Sequence, residues 1–102
     1  MIKNDKRRLM IGLEYVDRLK WNAELGKRLE SLRGSLSMRA LAERVNNLGY
    51  QCSYQYIHKL EEGRSESVST DIIVAICDAL GEDFKELYPS FYIEVSIHVK
   101  KS

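Results

Sequence analysis

Residues 37–63 read SMRALAERVNNLGYQCSYQYIHKLEEG, two short helical patterns joined by a break that contains glycine. Ser37 is a suitable N-cap, and the helix it opens runs from Met38 to about Asn47, with Leu41, Ala42 and Val45 on its buried face. Asn46-Asn47-Leu48-Gly49 stops that helix, since Asn and Gly tolerate a positive φ. Ser53 caps a following helix to about Glu62, closed by Gly63 at the C′ position. This helix turns Ile57 and Leu60 inward and offers Tyr54, Gln55, His58 and Lys59 to solvent. A polar helix face of amide, phenol and amine groups suits the base edges of a DNA major groove.

Upstream, apolar residues recur at helical spacing from about Leu13 to Leu32, at Val16, Leu19 or Trp21, Leu25, Leu29 and Leu32. Gly26 weakens that pattern, and Arg33-Gly34-Ser35 ends it. Downstream, Arg64 to Ser69 forms a polar loop. Ser69 or Thr70 caps a fourth helix carrying Ile73, Ile76, Cys77 and Leu80 on one side, and Gly81 ends it. Asp83 caps a short fifth helix, FKELY, which stops before Pro89. None of these helices is stable alone, so they must pack on one another.

The C-terminal segment follows a different period. Phe91, Ile93, Val95, Ile97 and Val99 alternate with Tyr92, Glu94, Ser96, His98 and Lys100, a strand pattern. A lone strand leaves its ladder groups unpaired. The same strand from a second molecule would satisfy them as an antiparallel ribbon across a two-fold axis, and this is favoured over an internal partner between Lys3 and Val16. Three regions are expected: a basic, mobile N-terminal arm (1–12), a helical domain (13–88) and a dimerisation strand (90–100).

Length and composition bound the function. A chain of 102 residues makes one domain with a modest core, and 30% charged with 44% hydrophobic residues is ordinary for a soluble globular protein. The net charge of +1 is low for a nucleic-acid binder, but it is unevenly spread: +4 over residues 1–33, +1 over 34–64 and −4 over 65–102. Such polarity would orient the molecule on a polyanion. Cys52 and Cys77 lack metal spacing and read as reduced thiols of a cytoplasmic protein. The apolar run from Leu9 to Leu13 is too short for a signal sequence or a membrane span. There is no GxSxG, GxGxxG, P-loop or HExxH, and Cys52, His58, Cys77 and His98 are too scattered for zinc. Neither an enzyme nor a metal or other cofactor is expected.

Three stretches together resemble the phage-repressor/Cro-type (XRE-like) helix-turn-helix family: ELGKRLESLR (24–33), SMRALAERV (37–45) and YIHKLEEGR (56–64), with the pattern continuing to Tyr88. The resemblance implies a mainly α, five-helix lambda-repressor-like bundle whose second and third helices form the DNA-binding unit. It implies base reading by Ser53, Tyr54, Gln55 and Lys59. Gln55 would pair with adenine and Lys59 with guanine. Phosphate contacts fall to Arg28, Arg39 and Arg64, with Tyr50 and Gln51 as further candidates. Arg33 and Glu61 match a pair that ties the first helix to the reading helix. Lys3, Lys6, Arg7 and Arg8 are minor-groove candidates, with a plain disordered tail as the alternative.

Three positions depart from the family pattern. Met38 stands where a Gln is usual, and the connection NNLGYQC is about five residues longer than the usual turn. The loop before Ser37 is shorter. Asn47, Tyr50 and Gln51 then either form a small wing against the DNA backbone or lengthen a loop. The implied protein is a homodimeric regulator, more often a repressor, on a palindromic operator. The rival reading is an antitoxin that neutralises a toxin or other protein partner and autoregulates its operon.

Overall fold

The computed structural model describes residues 16–88 in full and the backbone strands 4–9 and 93–98. In chain order it holds β1 (Asn4–Leu9), β2 (Arg18–Lys20), α1 (Ala23–Arg33), α2 (Met38–Asn47), α3 (Tyr54–Glu61), β3 (Ser67–Ser69), α4 (Thr70–Leu80), α5 (Phe84–Leu87) and β4 (Ile93–His98). The fold is mainly helical, as expected. No helix among the described residues is long and apolar enough to cross a membrane.

The first helix begins later than the spacing from Leu13 suggests. Asn22 caps it, its side chain accepting the Leu25 N–H at 2.9 Å. The residues just before it are extended: Leu19 lies opposite Val68 in an antiparallel pairing of β2 with β3. Trp21 prolongs that contact, donating its N–H to the Glu66 carbonyl at 2.9 Å. Its buried indole donates to the Leu60 carbonyl at 2.7 Å. Arg18, Leu19, Lys20 and Trp21 thus alternate exposed and covered, a period of two sustained over four residues inside what scans as a helix.

Ser37, Ser53 and Asp83 cap α2, α3 and α5 with side-chain bonds to the Ala40, Tyr56 and Lys85 N–H groups. Ser69 holds the cap position of α4 but makes no such bond. The Thr70 N–H is satisfied instead by the Asp17 carbonyl at 2.9 Å. Leu29, Leu41, Val45, Ile57, Leu60, Val68, Ile73, Ile76 and Leu87 are fully buried and join all five helices into one core. At each of these sites the hydrophobic transfer on folding contributes on the order of 1.5–3 kcal/mol.

Cys77 lies in this core, and its burial pushes the thiol from the ordinary 9.0 up to about 11. The folded chain therefore holds the thiol proton more tightly than the unfolded chain. Stability is full below pH 9 and is lost as pH rises toward 11, by roughly 2–3 kcal/mol. Chemical denaturation across that window is expected to show the decline, and Cys77→Ala to make it shallower. Burial raises the Tyr88 hydroxyl as well, which adds to the loss in the wild type and persists in the variant.

The C-terminal strand is confirmed as a strand, but its partner differs from the expected one. β4 pairs antiparallel with β1 of the same chain, in a register running from Asn4 opposite His98 to Leu9 opposite Ile93. Residues 4–9 therefore form a ladder strand. The register sets Leu9 opposite Ile93 and Arg8 opposite Glu94. Ile93, Val95 and Ile97 belong to β4, and Lys6, Arg7 and Arg8 to β1. Lys3, Phe91 and Val99 lie outside the described residues.

Candidate nucleic-acid interface

The interface begins with how α3 is held. Its inner side, Ile57 and Leu60, is fully buried, and Glu61 is nearly so. Arg33 reaches Glu61 from α1 with two parallel bonds, Nε to Oε2 at 2.6 Å and Nη2 to Oε1 at 2.8 Å. A third donor, Nη1, goes to the Leu36 carbonyl at 2.9 Å. The carboxylate raises the Arg33 pKa above its ordinary value, chiefly through the hydrogen bonds it accepts. This fork fixes α3 on α1, the structural role implied for the pair.

The helices also approach closely. At Gly26 an added Cβ would stand 2.5 Å from both the Leu60 and Glu61 carbonyl oxygens. Gly63, with φ +70°, passes against Ala23 in the same way: a Cβ there would meet the Ala23 Cα at 2.5 Å. The C-terminal half of α3 is thus seated directly on the start of α1.

Its outer side is open. Ser53, Gln55, His58, Lys59 and Glu62 are all exposed, and Gln55, His58 and Lys59 share one face at helical spacing. Ser53 meets its capping role, accepting the Tyr56 N–H at 3.1 Å. Tyr54 is half-buried against the core, and the Arg39 guanidinium from α2 lies 4.0 Å above its ring centroid. That cation–π contact joins the first turns of the two helices. Arg39, Glu43, Ser53, Tyr54 and Gln55 border an open groove of about 270 Å³ between α2 and α3.

The remaining expected residues are less closely gathered. Tyr50 is exposed on the turn, and Gln51 borders a neighbouring depression with Ser53 and Tyr56. Arg64 is exposed beyond the end of α3, but its Nε is held by Glu62 at 2.7 Å, and Glu62 also lies 3.5 Å from His58. Arg28 is exposed on α1, outside the groove that unites Arg39 with α3. Two features escaped the sequence reading. One is the Glu62 cluster, which places an anion at the end of the polar face. The other is Asn46, whose side-chain amide bonds both backbone groups of Cys52.

A helix-turn-helix domain model matches residues 24–87, well over half of the chain. The chain belongs to the helix-turn-helix family of DNA-binding domains. The match begins at α1 and ends with α5, so it spans the bundle that carries the interface. No curated protein and no solved structure matches the chain.

As a member of this family, the chain has the expected two-helix unit, with a longer connection between the helices. Leu48 and Gly49 close the last turn of α2 by bonding back to it, Leu48 N–H to Val45 O at 3.0 Å and Gly49 N–H to Asn46 O at 2.9 Å. Met38 is half-buried against the core. In this helix-turn-helix unit, the ties from α2 toward the start of α3 include Arg39 on Tyr54 and Asn46 on Cys52.

Proposed function

We propose that the chain is a sequence-specific double-stranded DNA-binding transcription regulator, a repressor, acting as a homodimer on a palindromic operator. The observation that carries this reading is the exposed polar face of α3, set on a helix whose opposite side is locked into the core. A base-reading helix needs both properties, because a bidentate contact tolerates little misplacement. Gln55 and Lys59 are assigned the base edges, with Ser53 at the helix start. Tyr54 supplies apolar contact beneath Arg39. Arg39, Tyr50, Gln51, Arg28 and Arg64 are assigned to phosphates, Arg64 exchanging its Glu62 partner for the nucleic acid.

One reading helix binds weakly, and a dimer presents two. The two-stranded β1–β4 sheet leaves one edge of each strand without a partner among the described residues. A ribbon of two strands is marginal on its own, and a second copy added at an edge would extend it. The two copies of α3 would then enter successive major grooves about 34–36 Å apart.

Selection of genomic fragments by the purified protein tests this reading. The expected product is a palindrome with half-sites about one helical turn apart. Recovery of no common sequence, with binding that depends only on salt, would overturn it.

A further inference from the structure

We propose that Asn46, in the last turn of α2, is a positioning residue for base reading by the first turn of α3. The inference rests on the reading of α3 as the DNA-contacting helix. It begins from the middle of the connection between the two helices, residues 48–51, which is poorly anchored by packing, although Cys52 just beyond it is buried in the core. Leu48 and Tyr50 are 49% and 40% exposed, and Gly49 has nothing near it where a side chain would stand. The turn's backbone bonds point back to α2: Leu48, Gly49 and Tyr50 donate to carbonyls of residues 44–46.

Besides Arg39 on Tyr54, one side chain crosses the gap, and it does so by hydrogen bonds. Asn46 Nδ2 donates to the Cys52 carbonyl at 2.8 Å, and Asn46 Oδ1 accepts the Cys52 N–H at 2.9 Å. The amide thereby mimics a strand neighbour and fixes both polar groups of the residue just before the Ser53 cap. Its geometry is demanding: Asp lacks the donor, Gln is a methylene too long, and Ala has neither group.

The two ends of α3 are consequently held by different means. Ile57, Leu60 and the Arg33–Glu61 fork hold the C-terminal half, which carries Lys59. Asn46, with Arg39 on Tyr54, holds the N-terminal turn, which carries Ser53 and Gln55. Loss of the Asn46 clip loosens the first turn, which keeps Arg39 on Tyr54 and the buried Cys52, while leaving the second half seated. Its effect on recognition is therefore local in the operator.

The test measures the affinity of Asn46→Ala for a selected operator and for variants changed at one base pair at a time. Pairs read by Gln55 and by Lys59 are first mapped with Gln55→Ala and Lys59→Ala. The expected result is that the penalty for a wrong base at the Gln55 pairs falls about tenfold, while the penalty at the Lys59 pairs and the affinity for random DNA are kept. Leu87→Val, a core change on α5, controls for general loss of stability and should keep both penalties. An equal loss at every pair, or none, would overturn the proposal. Should Asn46→Ala not fold, Asn46→Asp retains the acceptor for the Cys52 N–H and is expected to show the same bias in part. Its added charge weakens all DNA binding alike and cancels in the ratio.

A wild type with no sequence preference would overturn the regulator reading instead. Hydrogen exchange then decides the positional claim by itself. The clip predicts that Asn46→Ala accelerates exchange at residues 52–56 relative to 57–61, and uniform rates would refute it.

Discussion

Arg33→Met is expected to lower folding stability by about 3–5 kcal/mol, because it leaves a carboxylate buried without its counter-charge. The Glu61 side chain is only 2% exposed, against 15% for Arg33. Both Arg33–Glu61 bonds and the bond to the Leu36 carbonyl disappear together. A small domain has a total stability of about 5–15 kcal/mol, so the variant should be partly unfolded at physiological temperature. Urea denaturation gives the measurement. The double change Arg33→Met with Glu61→Leu should recover most of the loss, since no charge then stays buried. A double variant as unstable as the single one would mean that the fork is needed for its geometry and not for its charge balance.

Gly26→Ala should also be damaging, to a lesser degree, although alanine is the better helix former. The propensity gain in mid-helix is about 1 kcal/mol. Against it stands a methyl group placed 2.5 Å from two carbonyl oxygens of α3. Those oxygens belong to backbone, so relief requires α1 and α3 to move apart. Overpacking of this kind costs about 3 kcal/mol at the upper end of its usual range. The net loss of about 2 kcal/mol corresponds to a drop in Tm of roughly 8–16 °C for a domain of this size. Thermal unfolding followed by circular dichroism checks it. A Tm equal to or above that of the wild type would show that the two helices do not cross this closely in solution.

These two sites also show what the sequence makes legible. The helices Met38–Asn47 and Tyr54–Glu61 could be read from it because their signals are local: serine caps, a 3.6-residue apolar period and terminal Asn or Gly. The Arg33–Glu61 pair was legible only through the family resemblance, since 28 residues separate the partners. Gly26 looked like a defect in a helix, whereas it lets α1 come close to the backbone of α3. The segment from Val16 to Trp21 was misread because a three-residue strand is too short to display its period against the helix that follows. Its extended form is set by pairing with Ser67–Ser69, a partner some fifty residues away.

The same reasoning explains the ends of the chain. The alternation around Ile93–His98 announced a strand, and its partner lies in the Lys3–Val16 stretch that stood as the less favoured alternative to a second molecule. Residues 4–9 are charged and lack alternation, and the ladder with β4 makes them a strand. Likewise the polar face of α3 was visible in advance, while the way its first turn is aimed was not. Asn46 scans as an ordinary C-terminal helix residue. Its role exists only because a turn brings Cys52 back beside it.

The central claim is that the exposed face of α3 reads base edges. It is tested most directly by the affinity of Lys59→Ala for the selected operator and for operators changed at single base pairs. Lys59 is exposed, so its truncation should leave the fold intact. The account predicts that specific affinity falls by about 1–3 kcal/mol and that discrimination relaxes at one base pair in each half-site, with the others unchanged. A variant that binds the operator as tightly as the wild type, with the same preference at every position, would contradict it.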